Sequence, residues 1–195
     1  MAKPLYIIGA GSVGGHLALN LEQYSTEYEI AGFYDDDPDK VGADLFGVPV
    51  LGQVSEVLKE QGCALSVGIS FPKIKQQIIN RLLAYSDWDF PTFIHQRAWI
   101  SEDVEIGKGC IIYPGTMVNY GCKIGDHSVF NMNCSLGHHT KVGRYASFAP
   151  GVQTGGHTEI GEMVEMGIGS ATLQGVKMGD KAVAGGLAMV TKSVA

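Results

Sequence analysis

Cysteine, charge and long apolar runs are all scarce in this sequence, and each scarcity excludes a class of protein. Four cysteines in 195 residues are too few for the disulfide framework of a small secreted protein, so reduced thiols are expected. The net charge of -6 comes without any run of lysine or arginine, which excludes nucleic acid as the main partner. The apolar opening is broken by Gly9 and Gly11 and is too short for a signal sequence or a membrane span. The sequence therefore predicts a cytoplasmic protein.

Glycine is the residue type in excess, with 27 copies that are concentrated near the start of the chain and again after Gly107. Because glycine adopts the backbone angles of tight turns, this distribution predicts two turn-rich regions. Hydrophobic residues make up 45% of the chain and charged residues 17%, so the chain can bury a core in one large or two small domains.

The first part of the chain alternates short apolar runs with helical patterns, as in β-α-β units around a parallel sheet. This pattern predicts strands over residues 5–8, 30–34 and 64–67, and helices over residues 12–23, 54–60 and 72–85. Pro72 suits the first turn of the last helix, where its missing N–H has no partner to lose. We therefore predict a Rossmann-like α/β domain over residues 1–90.

From residue 91 to residue 195 the hydrophobic period changes to six. Every sixth residue from Ile94 to Val190 is a large apolar residue, except at Thr154, Thr172 and Ala184, and the residue two positions earlier is always small or β-branched. A six-residue repeat with one large and one small inward position is typical of the hexapeptide β-helix, in which three short strands form each triangular coil. The second domain is therefore predicted to be a left-handed parallel β-helix.

Three of the four cysteines, Cys110, Cys122 and Cys134, fall on the small inward track of this repeat. A free cysteine packs as a small apolar residue, so we interpret all three as packing residues rather than as zinc ligands or disulfide partners. A short stack of this kind commonly assembles further, which predicts a symmetric oligomer.

A glycine motif, Gly9-x-Gly11-x-x-Gly14, lies between the first predicted strand and the first predicted helix, and Asp35 and Asp36 follow the second strand. In this context the phosphates of a nucleotide bind at the helix N-terminus, and an aspartate accepts a hydrogen bond from a ribose or a base. The motif alone would favour NAD, but the domain has too few predicted strands for a full dinucleotide fold. The alternative is that the glycines serve only a tight turn and the aspartates are merely solvated.

Residues eighteen apart stack in neighbouring coils of such a β-helix, so spatial neighbours follow from the numbering. His138 is predicted to lie between Tyr120 and Gly156, and His139 is predicted to lie beneath His157. A neutral imidazole takes a proton from an attacking amine or hydroxyl, and the Gly156 N–H would stabilise the oxyanion of a thioester carbonyl. The alternative is a pair of exposed surface histidines without a catalytic role.

Five segments carry a resemblance to a known family. They are residues 9–11 (Gly-Ala-Gly), 33–36 (Phe-Tyr-Asp-Asp), 66–70 (Ser-Val-Gly-Ile-Ser), 93–95 (Phe-Ile-His) and the histidine segment 138–143. Together they resemble the bacterial sugar acetyltransferases of the PglD and NeuD type, which belong to the hexapeptide-repeat acyltransferases, over nearly the whole chain. The resemblance implies a nucleotide-binding α/β domain joined to a β-helix. It also implies transfer of an acetyl group from acetyl-CoA to a nucleotide-linked sugar used in surface polysaccharides.

The resemblance places acetyl transfer at the histidine pair. It implies that His138 is the catalytic base and that Gly156 contacts the acyl carbonyl, while His139 stands where many relatives have Glu or Asp. Acetyl-CoA is the implied co-substrate. The implied CoA contacts are Ser147, Gly156, Ile168 and Gly186.

The resemblance also implies that the first domain binds the sugar nucleotide. The substrate would be a UDP- or GDP-linked amino sugar, acetylated on its 4-amino group. The protein would be a homotrimer with active sites between subunits. The implied contacts of the sugar nucleotide are Gly11, Ser12, Val13, Asp35, Asp36, Gly68, Ile69 and Ser70.

The sequence leaves other functions open. O-acetylation of a sugar of the sialic acid type would use the same base, and a non-catalytic scaffold would bind a nucleotide sugar without transferring an acetyl group. A zinc hydratase built on a β-helix needs histidines arranged as ligands, commonly as an H-x4-H pair, and none of the six histidines forms such a pair. No metal site is therefore expected.

Overall fold

A computed structural model of the chain describes residues 2–195. The chain divides into two compact units, of which the first ends at Pro91 and the second spans Thr92–Ala195. Within the described residues, no helix combines the length and the apolar character that a bilayer crossing requires.

The first unit is a five-stranded sheet with helices. Its strands are β1 Lys3–Ile8, β2 Tyr28–Tyr34, β3 Asp44–Leu45, β4 Val48–Gly52 and β5 Ala64–Val67. The order in the sheet is β3-β4-β2-β1-β5, with β3 antiparallel to β4 and all other pairs parallel. The helices are α1 Ser12–Asn20 and α2 Pro72–Leu83, and the 3-10 turns are Leu21–Gln23 and Val54–Lys59.

Three features of this unit differ from the sequence prediction. The hairpin of β3 and β4 was not predicted, because its two-residue turn is Phe46-Gly47 rather than an Asn-Gly or Asp-Gly pair. Both turn residues have positive φ, 57° and 75°, as the twist of a tight hairpin requires. The predicted helix over 54–60 is a 3-10 segment, and the predicted helix over 12–23 ends as an α-helix at Asn20.

The second unit consists of seventeen two-residue strands, each ending on the large residue of the predicted repeat. The first face contains β7 Trp99–Ile100, β10 Met117–Val118, β13 Ser135–Leu136, β16 Gln153–Thr154, β19 Ala171–Thr172 and β22 Met189–Val190. The second face contains β8 Glu105–Ile106, β11 Lys123–Ile124, β14 Lys141–Val142, β17 Glu159–Ile160 and β20 Lys177–Met178. The third face contains β6 Phe93–Ile94, β9 Ile111–Ile112, β12 Val129–Phe130, β15 Ser147–Phe148, β18 Glu165–Met166 and β21 Val183–Ala184. Within each face the strands are parallel, and paired residues are eighteen positions apart in the chain. The predicted β-helix is therefore confirmed.

The interior of the β-helix follows the two-track rule. Phe130 and Phe148 fill the large track, with ring centroids 4.7 Å apart, and both are fully buried. On the small track, Cys134 is also buried, and its thiol donates to the Ala149 carbonyl at 3.3 Å. Burial raises the pKa of this thiol to about 12, which keeps it protonated and chemically inert.

The two threonines that interrupt the large track have a structural explanation. Thr154 lies 3.1 Å from Thr140, and Thr172 lies 3.0 Å from Thr158, hydroxyl to hydroxyl in both cases. Both partners, Thr140 and Thr158, occupy small-track positions and are fully buried. A buried hydroxyl at a large position is tolerated because the neighbouring coil supplies a hydrogen-bonding partner.

Candidate functional site

The glycine motif turns the chain from β1 into α1. Gly9 has φ +97°, and a Cβ at Gly14 would collide with the Gly9 carbonyl oxygen. A Cβ at Gly68 would come within 2.6 Å of Gly14 Cα, so the loop after β5 packs directly on the start of α1. No side chain caps α1, whose first turn begins after Gly11. Its amide groups are therefore free to receive an anion such as a phosphate.

Beside this helix end lies a cavity of about 490 Å³ within the first unit. All eight residues predicted to contact a sugar nucleotide line it, although they come from three separate stretches of the chain. The glycine loop, the end of β2 and the loop after β5 therefore converge as the sequence predicts. Gly9 of the glycine motif also lines the cavity. The remaining lining residues, which the sequence analysis did not single out, are Lys40, Val54, Phe71, Ile74, Gln77, Ile78 and Arg81.

Asp35 ties the glycine loop to the rest of the cavity. Its carboxylate accepts hydrogen bonds from the amides of Ala10 at 2.8 Å and Asp37 at 2.9 Å, and from the Lys40 ammonium at 3.1 Å. Partial burial alone would raise the pKa of Asp35, but these hydrogen bonds outweigh it and lower the pKa below its ordinary value. Asp35 is therefore an ionised anchor that holds a lysine at the cavity wall.

Asp36 also holds a cation at the cavity. One carboxylate oxygen accepts from the Val54 amide and the other from the Arg81 guanidinium, both at 2.9 Å. Arg81 comes from α2, 45 positions further along the chain, so no local pattern could have revealed this pair. The cavity lining therefore contains two cations, Lys40 and Arg81, each paired with an aspartate.

In the second unit, His138 lies where the stacking rule places it. Its ring stacks on Tyr120 with centroids 5.4 Å apart and planes 10° apart. On the other side, a Cβ built on Gly156 would come within 2.7 Å of His138 Nε2, so only glycine leaves room for the imidazole. The Gly156 carbonyl accepts from Gly175, whereas no hydrogen bond among residues 2–195 uses the Gly156 N–H as a donor. An imidazole nitrogen and an amide donor thus lie side by side.

His139 contacts the edge of this imidazole. The two Nδ1 atoms are 3.1 Å apart, so one of the two rings donates a proton to the other. If His138 is the donor, its Nε2 carries the free lone pair and faces Gly156. His139 is held in this position by a left-handed backbone, with φ 58°, and it stacks on His157 at 4.8 Å. His139 can therefore accept a hydrogen bond from His138 Nδ1.

Of the four predicted CoA contacts, Gly156 lies beside His138, and the other three lie elsewhere on the β-helix. Ile168 and Gly186 share the corner between the third and first faces, where the Leu187 amide donates to the Ile168 carbonyl at 2.7 Å. Ser147 opens β15 on the third face. His138 occupies the corner between the first and second faces, so within one chain the first face separates it from Ile168 and Gly186.

The chain is similar to known proteins in both units. Residues 4–82 match the family model of the PglD N-terminal domain. The acetyltransferase domain of PglB from Neisseria gonorrhoeae FA1090 superposes with a TM-score of 0.87 and 26% identity, over 99% of this chain and 93% of that one. The predicted resemblance to sugar acetyltransferases of the PglD type is thereby confirmed. No curated protein sequence matches the chain.

Two further structures share the whole fold. A mutant of perosamine N-acetyltransferase from Caulobacter crescentus, solved with CoA and GDP-perosamine, gives a TM-score of 0.87 at 24% identity, over 100% of this chain and 91% of that one. WeeI from Acinetobacter baumannii AYE gives 0.82 at 22% identity, over 99% and 93%.

Proposed function

We propose that this chain, with its PglD N-terminal domain and its β-helix of the acetyltransferase type, is an acetyl-CoA-dependent N-acetyltransferase. Its substrate is a nucleotide-linked amino sugar, acetylated on the 4-amino group, for a surface polysaccharide or glycan. The observation that carries the proposal is the His138 imidazole directly over Gly156, with an amide donor and a proton acceptor side by side. N-acetylation is favoured over O-acetylation because a structural relative with the same fold is a perosamine N-acetyltransferase.

The geometry supports a direct transfer. The amine nitrogen of the sugar attacks the thioester carbonyl of acetyl-CoA, and His138 Nε2 accepts the proton that the amine loses. The carbonyl oxygen becomes an oxyanion, to which the Gly156 N–H, unused as a donor within residues 2–195, can donate. The tetrahedral intermediate collapses when the C–S bond breaks, and the CoA thiolate leaves and takes up the proton.

His139 supports the base in this proposal. Accepting the His138 Nδ1–H fixes the tautomer that leaves Nε2 unprotonated, as a carboxylate does in many relatives. A neutral imidazole stabilises the imidazolium that forms less than a carboxylate would.

The cavity of the first unit would hold the nucleotide. The diphosphate fits the open N-terminus of α1, and Lys40 and Arg81, each paired with an aspartate, line the same cavity. The perosamine enzyme is a relative whose structure contains a nucleotide sugar, GDP-perosamine.

A homotrimer with active sites between subunits completes the proposal. Its support is the position of the predicted CoA contacts, Ile168 and Gly186, on a different corner of the prism from His138. In a trimer, the corner of a second chain that carries Ile168 and Gly186 would lie beside His138 of the first chain. Mass measurement in solution tests the trimer, and a monomer with full activity would contradict it. We further propose that the enzyme acts in the cytoplasm, where acetyl-CoA is available.

The experiment that tests the function is an acetyl-CoA-dependent transfer assay over a panel of UDP-, GDP- and dTDP-linked 4-amino sugars. Each amino sugar is paired with the analogue that carries a hydroxyl at the same carbon. We expect CoA release with one amino sugar nucleotide and little with its hydroxyl analogue. Binding of a nucleotide sugar without any CoA release would instead identify a non-catalytic scaffold.

A further inference from the structure

Three imidazoles meet at the corner that carries the base. His138, His139 and His157 each place one ring nitrogen so that these atoms all lie within 4.8 Å of one another. The His138 and His139 Nδ1 atoms are already 3.1 Å apart, close to the separation of about 3.3 Å expected for two nitrogen ligands of one tetrahedral zinc ion. Since His139 and His157 are exposed, rotation of their rings can close the remaining gap.

We infer that these three histidines form a binding site for a divalent transition metal ion of the zinc type, and that this ion inhibits acetyl transfer. The inhibition rests on the proposed function, whereas the binding does not. Three neutral imidazoles suit Zn²⁺, which takes nitrogen ligands at tetrahedral sites and leaves a fourth position for water. A search for H-x4-H pairs does not find these three histidines, because His139 and His157 lie eighteen residues apart and meet through the stacking of adjacent coils.

The ion and the proton compete for the same lone pairs. When the metal binds both Nδ1 atoms, the single proton shared between them leaves that position. The ring proton of His138 must then sit on Nε2, the nitrogen beside Gly156. An imidazole protonated at Nε2 cannot accept the proton of the attacking amine, so the metal-bound enzyme has no base.

The rest of the described chain offers this ion little competition. His95 and His127 are buried, and His16 is hydrogen-bonded to the Tyr24 hydroxyl at 2.8 Å. All four cysteine thiols are buried. One ion per chain is therefore expected at the three-histidine site.

The binding test is a calorimetric titration of Zn²⁺ into the full chain without an affinity tag. We expect one ion per wild-type chain and an affinity lower by about tenfold or more in His157→Gln, at least the loss seen when an outer-shell group is removed. His16→Gln, which removes a histidine outside the cluster, is the matched control and should bind as the wild type does. Equal zinc binding by wild type and His157→Gln would overturn the site.

The inhibition test measures acetylated sugar by chromatography, because CoA thiol itself binds zinc. Each variant is compared with its own rate after treatment with EDTA. Zinc should lower the wild-type rate by about tenfold or more at saturation, since removal of a general base costs at least that, and should lower the His157→Gln rate far less at the same concentration. Zinc binding without loss of rate would refute the inhibitory role. If no sugar is acetylated under any condition, the titration still decides whether the site exists.

Discussion

The two units place their functional residues in different ways. In the β-helix, Tyr120, His138 and Gly156 are neighbours because they are eighteen apart, and every coil repeats this relation. In the α/β unit, the cavity residues meet through side chains that reach across irregular separations, such as Asp36 to Arg81. A change in the β-helix is therefore expected to act on adjacent coils, whereas a change in the cavity loosens several elements at once.

The two units also differ in the interactions that stabilise them. Each coil of the β-helix buries one large residue per face and is stabilised only by the coils above and below it. The α/β unit has a sheet core in which Leu5, Ile7 and Phe33 are fully buried, and its cavity walls are held by charged hydrogen bonds. We therefore expect substitutions in the core to lower the free energy of unfolding most in the β-helix. Substitutions that change charge should have their main effect in the α/β unit.

The largest effect is expected for Phe130→Ala in the β-helix. Phe130 is fully buried and packs on Phe148, so the substitution leaves a cavity and should cost about 3–5 kcal/mol of unfolding free energy. Urea unfolding followed by circular dichroism measures the loss. The matched variant in the other unit is Phe33→Ala, which is equally buried. If both variants shift one and the same transition, the two units do not unfold independently and the comparison fails.

The next effect concerns catalysis at the corner of the β-helix. His138→Ala should lower kcat for acetyl transfer by about a hundredfold or more, because the general base is lost. Its thermal stability should match the wild type, since the side chain is only partly buried. The CoA release assay with the best sugar nucleotide measures the rate. Full activity in His138→Ala would remove His138 from the role of base.

Gly156→Ala tests the same corner from the neighbouring coil. The added methyl would lie 2.7 Å from His138 Nε2 and must push the imidazole aside, so kcat should fall by about tenfold through misplacement of the base. Gly185→Ala, where an added methyl meets nothing within 4 Å, controls for the loss of a glycine in the same β-helix. A wild-type rate in Gly156→Ala would show that the imidazole position is not set by this contact.

The same contrast between the two units explains which parts of the fold and of the site could be predicted from the sequence. The six-residue period predicted every strand of the β-helix and the stacking of His138 and His139, because each contact there is fixed by a constant separation. In the α/β unit, the glycine motif and Asp35 predicted where the cavity lies. Arg81 was missed, since nothing in the local sequence tells which distant cation a carboxylate will bind. Lys40 was missed although it lies only five residues after Asp35, because the loop between them has no periodic pattern that would place its side chain.

The smallest effect is expected for Asp35→Asn, and it sharpens the role of charge in the α/β unit. The pKa of Asp35 is lower in the folded protein than its ordinary value of about 4, so its ionised form stabilises the fold above that pH. This contribution is lost as the pH falls through the folded pKa. Asp35→Asn should therefore destabilise the first unit by about 1 kcal/mol at pH 7, since charged hydrogen bonds are weakened, and by less as the pH is lowered below about 4.

Urea unfolding at pH 7 and at a pH below about 4 measures the difference. The control for net charge is Asp39→Asn, which changes an exposed carboxylate on the same loop. A cost for Asp35→Asn that stays the same at both pH values would mean that the side chain acts through its shape rather than its charge.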